Sequence, residues 1–128
     1  MNKTLSFVFA VLITSCSAGV EPSDVAAQAA KGYYQLLLEG KYDSYVDGFF
    51  RPDSLPQSYR EQLITRVRQF VAEQTTLYKG IREVSIERAL ADTDLHSANV
   101  FLILHYGDDT EEEILVPMTE HKGIWYMR

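Results

Sequence analysis

One thiol, three imidazoles and two runs of acidic residues are the groups in this chain that chemistry would use first. Asp92, Asp94 and His96 form an Asp-x-Asp-x-His run, and Asp108, Asp109, Glu111, Glu112 and Glu113 cluster a little further on. Calcium takes six or more oxygens from a shaped loop, and zinc takes three or four ligands in a closed geometry. Neither run has such a spacing. Both fall where turns are expected, and carboxylates there also keep a sheet edge from pairing with another chain. No metal site and no cofactor is expected. His105 differs, because it stands inside an apolar alternation rather than in a turn. None of the three histidines has a carboxylate at a recognised catalytic spacing along the chain.

Cys16 is the only cysteine, so no intramolecular disulfide can form. It follows Lys3, the apolar run Leu5-Ser6-Phe7-Val8-Phe9-Ala10-Val11-Leu12-Ile13, and the small residues Thr14 and Ser15. That run is well short of the about 20 apolar residues that cross a bilayer and has the length of a signal-peptide h-region. Ile13-Thr14-Ser15-Cys16 resembles the bacterial lipobox, with Ile where Leu is commoner. The resemblance implies a lipoprotein signal peptide over residues 1–15, diacylglycerol on the Cys16 sulfur and cleavage before it. The mature chain would then be lipid-anchored in the bacterial cell envelope, at the periplasmic side of the outer membrane. Two or three acyl chains anchor stably where one holds only reversibly. Residues 16–22, small, polar and ending at Pro22, read as a tether.

The chain carries a net charge of −6, and losing Lys3 with the signal peptide makes it −7. That balance excludes the phosphate neutralisation on which nucleic-acid binding depends, and it offers no basic patch to anionic headgroups. The remaining length suits one domain, residues 23–128.

Ser23 opens a helix in which Ala26, Ala29, Ala30, Tyr33, Leu36 and Leu37 share a face, and Gly40 supplies the left-handed residue that ends it. A short second helix places Tyr42, Tyr45, Val46 and Phe49 on one side. A third, over about residues 56–79, repeats Tyr59, Leu63, Val67, Phe70, Gln74 and Leu77 at helical spacing. It is expected to supply much of the core, with Phe70 buried against the sheet. After Gly80 the period falls to two. Val84, Ile86 and Leu90 share one strand face. Ala98, Val100, Leu102, Leu104 and Tyr106 alternate in a second, central strand whose two faces are both fairly apolar. Ile114, Val116 and Met118 form a third strand, where Pro117 needs an edge or a bulge, and Ile124-Trp125-Tyr126-Met127 the last. Helices before an antiparallel meander imply an α+β fold with the helices on one face of a curved sheet, a cone that can leave a cavity at its wide end.

The elements resemble those of the nuclear transport factor 2-like (NTF2-like, or cystatin-like) superfamily, and more narrowly those of small bacterial lipoproteins with a DUF4878-type domain. The resemblance rests on Tyr33-Tyr34-Gln35-Leu36-Leu37-Leu38-Glu39-Gly40-Lys41-Tyr42, on Gly80-Ile81-Arg82-Glu83-Val84, on Ala98-Asn99-Val100-Phe101-Leu102 with Tyr106-Gly107-Asp108, and on Gly123-Ile124-Trp125-Tyr126. It covers roughly residues 22–128. Lys41 stands where an acidic residue is common. The fold serves enzymes and binding modules alike, so it does not fix a function.

Enzymes on this fold set an Asp or His in the cone as base, with a Tyr or acid opposite as donor. The resemblance makes His105 the base, with Tyr33, Tyr45 and Tyr106 as donors, for an isomerase or lyase of small apolar substrates. The plainer reading is a partly solvated imidazole and core rings with wet hydroxyls. The expectation is therefore a non-enzymatic binding domain. Eight Tyr, six Phe and one Trp are more ring surface than so small a core hides. Tyr33, Tyr45, His105, Tyr106, Trp125 and Tyr126 are its candidate binding residues, for a small apolar ligand, a weak homodimer or an envelope partner. Asp53-Ser54-Leu55 resembles the short Asp-Ser/Thr-aliphatic site that some Bacteroidetes O-glycosylate; as a helix-capping loop it needs no glycan.

Overall fold

Small side chains bring the first helix into the middle of the molecule. In the computed structural model, which describes residues 21–128, α1 spans Pro22–Leu38 and buries Ala26, Ala27, Ala30 and Leu37. Pro22 sits in the first turn, where a missing N–H costs no hydrogen bond, and Glu21 rather than Ser23 takes the cap position. The helix ends as expected at Gly40, with φ +77°. There Lys41 N donates to Leu36 O and Gly40 N to Leu37 O, which satisfies two carbonyls of the last turn. The expected signal peptide, Cys16 and residues 16–20 of the expected tether lie outside the described residues.

Two helices follow, α2 (Tyr42–Asp47) and α3 (Gln57–Tyr78), and then strands β1 (Ile81–Asp92), β2 (Ser97–Tyr106), β3 (Glu111–His121) and β4 (Ile124–Met127). The strands form one antiparallel sheet in the order β1-β2-β3-β4. This is the α+β order expected. On β2, Ala98, Val100, Leu102, Leu104 and Tyr106 are all buried against the helices. The alternate residues Ser97, Asn99, Phe101, Ile103 and His105 face the other way and remain partly or fully exposed. β2 is central but covered on one side only. Pro117 pairs with Asn99 of β2. Its own carbonyl accepts from Arg128 N at 3.0 Å, just past the last residue of β4, so its missing donor falls where the sheet has an edge.

Two expectations are overturned. Leu90 does not share a face with Val84 and Ile86. The pairing with β2 shifts by one residue between Ile86 and Arg88, and the extra residue reverses every side chain beyond it. Ala89 and Ala91 therefore turn to the core, and Leu90 turns outward, 64% exposed. The third helix is also not the core helix. In α3 only Gln74 is buried, while Phe70 is 37% and Leu77 65% exposed. The alanines of α1 have taken the sheet. α3 lies instead on α2 and meets the sheet mainly at β1, and Val67 and Val71 pack on the margin of the core.

The far end of α3 is fastened. Lys79 and Gly80 both have positive φ, and the chain turns so that Gly107 N donates to Gly80 O at 2.8 Å and Asp108 N to Tyr78 O at 3.0 Å. A Cβ on Gly107 would collide with the Lys79 carbonyl. The Tyr78 and Tyr106 rings meet at 4.7 Å. No helix of the described residues is long and apolar enough to cross a membrane.

Candidate binding surfaces

The antiparallel register lays out the uncovered face of the sheet in rows. Arg88, Phe101 and Leu115 stand side by side, then Ser85, Ile103 and Glu113, then Glu83, His105 and Glu111. Arg88 lies over the Phe101 ring at 3.8 Å, and its guanidinium is 3.9 Å from Glu113. Leu115 is 51% exposed, and Leu90 stands at the near corner. An apolar centre thus sits inside a charged margin. In the last row His105 is held on both nitrogens. Nδ1 is 3.0 Å from Glu111 Oε2, and Nε2 is 2.7 Å from Ser85 Oγ. With Nδ1–H donated to the carboxylate, Nε2 accepts the serine hydroxyl.

This position corrects the base-and-donor pairing. His105 lies on the open face, and the tyrosines meant to oppose it lie among the helices. Tyr33 donates its hydroxyl to the Trp125 carbonyl at 2.7 Å. Tyr45 is buried, edge-on to Tyr34 at 5.4 Å and to Phe49 at 5.5 Å, and burial raises its pKa. Tyr106 is buried on the helix side and donates to Glu112 Oε1 at 2.6 Å. Its pKa is raised by burial first and by that carboxylate second. Trp125 is also a core ring. Of the residues expected to bind, Tyr45, Tyr106 and Trp125 are buried in the core, Tyr33 is partly buried and tied to the Trp125 carbonyl, and His105 and Tyr126 are partly exposed. Beneath α3 two small hollows of about 250 and 290 Å³ adjoin around Tyr45, Arg66 and Val67.

Tyr126 belongs to a site that the sequence did not reveal. Phe50 lies against the rings of His121, at 5.1 Å, and Tyr126, at 5.7 Å. It is held there because Phe50 N donates to Met127 O and Met127 N to Gly48 O, which adds residues 48–50 to the sheet beside β4. These rings line a groove of about 650 Å³ with Arg51, Asp53, Ser54 and Leu55 of the following loop and Arg60 of α3. Arg60 clasps Asp47 through two hydrogen bonds of 2.9 and 2.8 Å, and this holds the Asp47 carboxyl below its ordinary pKa. Phe50 and Tyr126 are 76 positions apart in the sequence, so no local pattern could have joined them.

The aspartates of the acidic runs shape turns, and Glu111, Glu112 and Glu113 open β3. Asp92 Oδ1 accepts from the amides of Asp94 and Leu95, and Asp108 Oδ1 accepts from Thr110. His96 Nδ1 is 2.6 Å from Glu120, whose other oxygen accepts from Gly123 N. Among the described residues no three His, Cys, Asp or Glu side chains gather closely enough to hold a metal ion.

No protein-family model and no curated protein sequence matches the chain. Among solved structures, a Campylobacter jejuni protein provisionally named an NTF2-like transpeptidase superposes with a TM-score of 0.62, over 77% of this chain and 92% of that one, at 15% identity. The fold is NTF2-like. At that identity the likeness concerns the backbone path alone, and the transpeptidase name stays with the Campylobacter protein. In this NTF2-like domain side chains fill most of the helix-lined interior and leave only the two small hollows under α3, while the uncovered sheet face and the aromatic groove lie open at the surface.

Proposed function

We propose that this chain is a bacterial envelope lipoprotein, anchored through Cys16, whose NTF2-like domain of DUF4878 type binds a protein partner without catalysing a reaction. The observation that carries the reading is the uncovered sheet face. Leu90, Phe101, Ile103 and Leu115 make an apolar strip, and Arg88, Glu113, His105 and Glu111 surround it. An apolar centre within a polar rim is the anatomy of a protein interface, and contiguous exposed apolar surface marks interaction sites on soluble domains. A second copy of the chain is the first partner to test, since Arg88 of one face can meet Glu113 of another. Sedimentation of the full-length chain should show concentration-dependent association that Leu115→Arg abolishes. If it shows a monomer throughout, a photo-crosslinker at Leu115 in the native envelope should capture one partner, and a face that captures nothing defeats the reading. Mass spectrometry tests the anchor: an acylated Cys16 N-terminus is expected, and an unmodified one elsewhere removes it.

One observation favours an enzyme instead. Ser85, His105 and Glu111 stand in the order of nucleophile, base and orienting carboxylate. None of the grooves described above is lined by Ser85 or His105, so no described recess would hold an acyl substrate against the serine. The same polar row serves as the rim of a binding face. The isomerase or lyase reading needed His105 inside the cone, which it does not occupy.

A further inference from the structure

We propose that the groove between the Phe50 loop and β4 binds a neutral saccharide. The ligand class follows from what the lining would reject. Arg51 and Asp53 face it with opposite charges, and the Asp47–Arg60 pair is already neutralised by two hydrogen bonds. An anion would meet Asp53 within a chain of net charge −6, and a cation would meet Arg51. A purely apolar ligand would strip water from a guanidinium and a carboxylate without replacing their hydrogen bonds. A polyhydroxylated, uncharged ligand meets all of these terms. Its hydroxyls both donate and accept, as the mixed lining requires. Its C–H faces can lie on the Phe50 and Tyr126 rings, a weak contact that adds up over several rings.

Arg51 is held in place before any ligand arrives. Arg51 spends one nitrogen on the carbonyls of Val46 and Phe49, at 3.0 and 3.4 Å, and a guanidinium has further N–H groups to offer. Pro52 and Pro56 bracket the loop that carries Asp53 and Ser54, which fixes φ at both ends. A site ordered in advance loses less entropy on binding. The groove is open to solvent rather than enclosed, which suits a chain of sugar units better than a small enclosed solute.

The test uses the purified full-length chain, titrated calorimetrically with maltotetraose, cellotetraose and chitotetraose at about 0.05 and 0.5 M NaCl. At least one should bind with a Kd of roughly 1 mM or tighter, and equally at both salts because no ligand charge is screened. Asp53→Ala lies in an exposed loop and should leave the unfolding midpoint unchanged while weakening binding about tenfold. Tyr126→Ala should weaken it further. The proposal is overturned if none of the three sugars binds, if binding falls steeply with salt, or if both variants bind as the wild type does.

Discussion

The Ser85 hydroxyl lies 2.7 Å from Nε2 of His105, on the sheet face that the helices leave uncovered. Distance alone does not make a nucleophile, because acyl transfer also needs donors aimed at the developing oxyanion and a recess for the substrate. The expected outcome is that a fluorophosphonate probe leaves Ser85 unlabelled. Labelling of the wild type that disappears in His105→Ala would establish a reactive serine and defeat the non-enzymatic reading.

Gly48 is fixed by its neighbours rather than by its backbone angles. A Cβ there would stand 2.5 Å from Cδ1 and 2.6 Å from Cε1 of Tyr33, with the Met127 methyl at 3.2 Å. The Tyr33 ring cannot yield easily, since its hydroxyl is bonded to the Trp125 carbonyl. Gly48→Ala should therefore cost roughly 1–3 kcal/mol, as overpacking does. The same substitution in a Tyr33→Leu background should cost less. Chemical denaturation of the four proteins measures that coupling.

Phe70 and Leu102 separate the two roles that helical and strand periodicity left alike. Leu102 is fully buried on the central strand, and Leu102→Ala should cost about 2–5 kcal/mol. Phe70, on a helix that misses the sheet, should cost less than about 2 kcal/mol as Phe70→Ala. Equal losses at the two sites would restore α3 as the core helix.

Acid should unfold this domain through particular carboxylates. Asp47 is held low by Arg60, Asp108 by the hydroxyl and amide of Thr110, and Glu120 by the Gly123 amide and then by His96. A carboxyl whose pKa is depressed in the folded state adds stability that is complete above its unfolded value, near 4. That stability is lost as pH falls through the lower folded value. Unfolding free energy should stay level from neutral pH to about 5 and decline below it. Asp47→Asn should flatten the decline and lower the plateau. A profile unchanged by this substitution would mean that the Arg60 clasp contributes nothing.

How much of this was legible depended on whether a signal was local. The alternation from Ala98 to Tyr106 identified β2 and its buried face, and the left-handed requirement at Gly40 placed the end of α1. Both are set by residues within a few positions. The period of α3 was also legible, but a stripe says only that a helix is amphipathic, and it does not say which neighbour covers it. The reversal at Leu90 was hidden, because a bulge at Glu87 is a property of the pairing with β2 and leaves no mark in β1 alone. The alternation along β2 puts His105 on the face opposite Tyr106. Periodicity does not say which of the two faces the helices cover, and His105 is on the open one. The Phe50–Tyr126–His121 cluster depends on a contact between the segment after α2 and the last strand, and composition reported only that there were rings to spare.

The two ends of α3 are pinned by hydrogen bonds, and its middle rests only on the margin of the core through Val67 and Val71. Arg60 clasps Asp47 near the start, and the Gly107 turn clamps Tyr78 and Gly80 at the finish. Between them lie the half-exposed Phe70 and the hollows around Tyr45. A helix supported in this way can open as a unit of its own, at a free energy below that of global unfolding. Its amides should exchange with solvent deuterium sooner than those of α1 and β2. Strengthening the clasps would slow that exchange, and deepening the core under Leu102 would not.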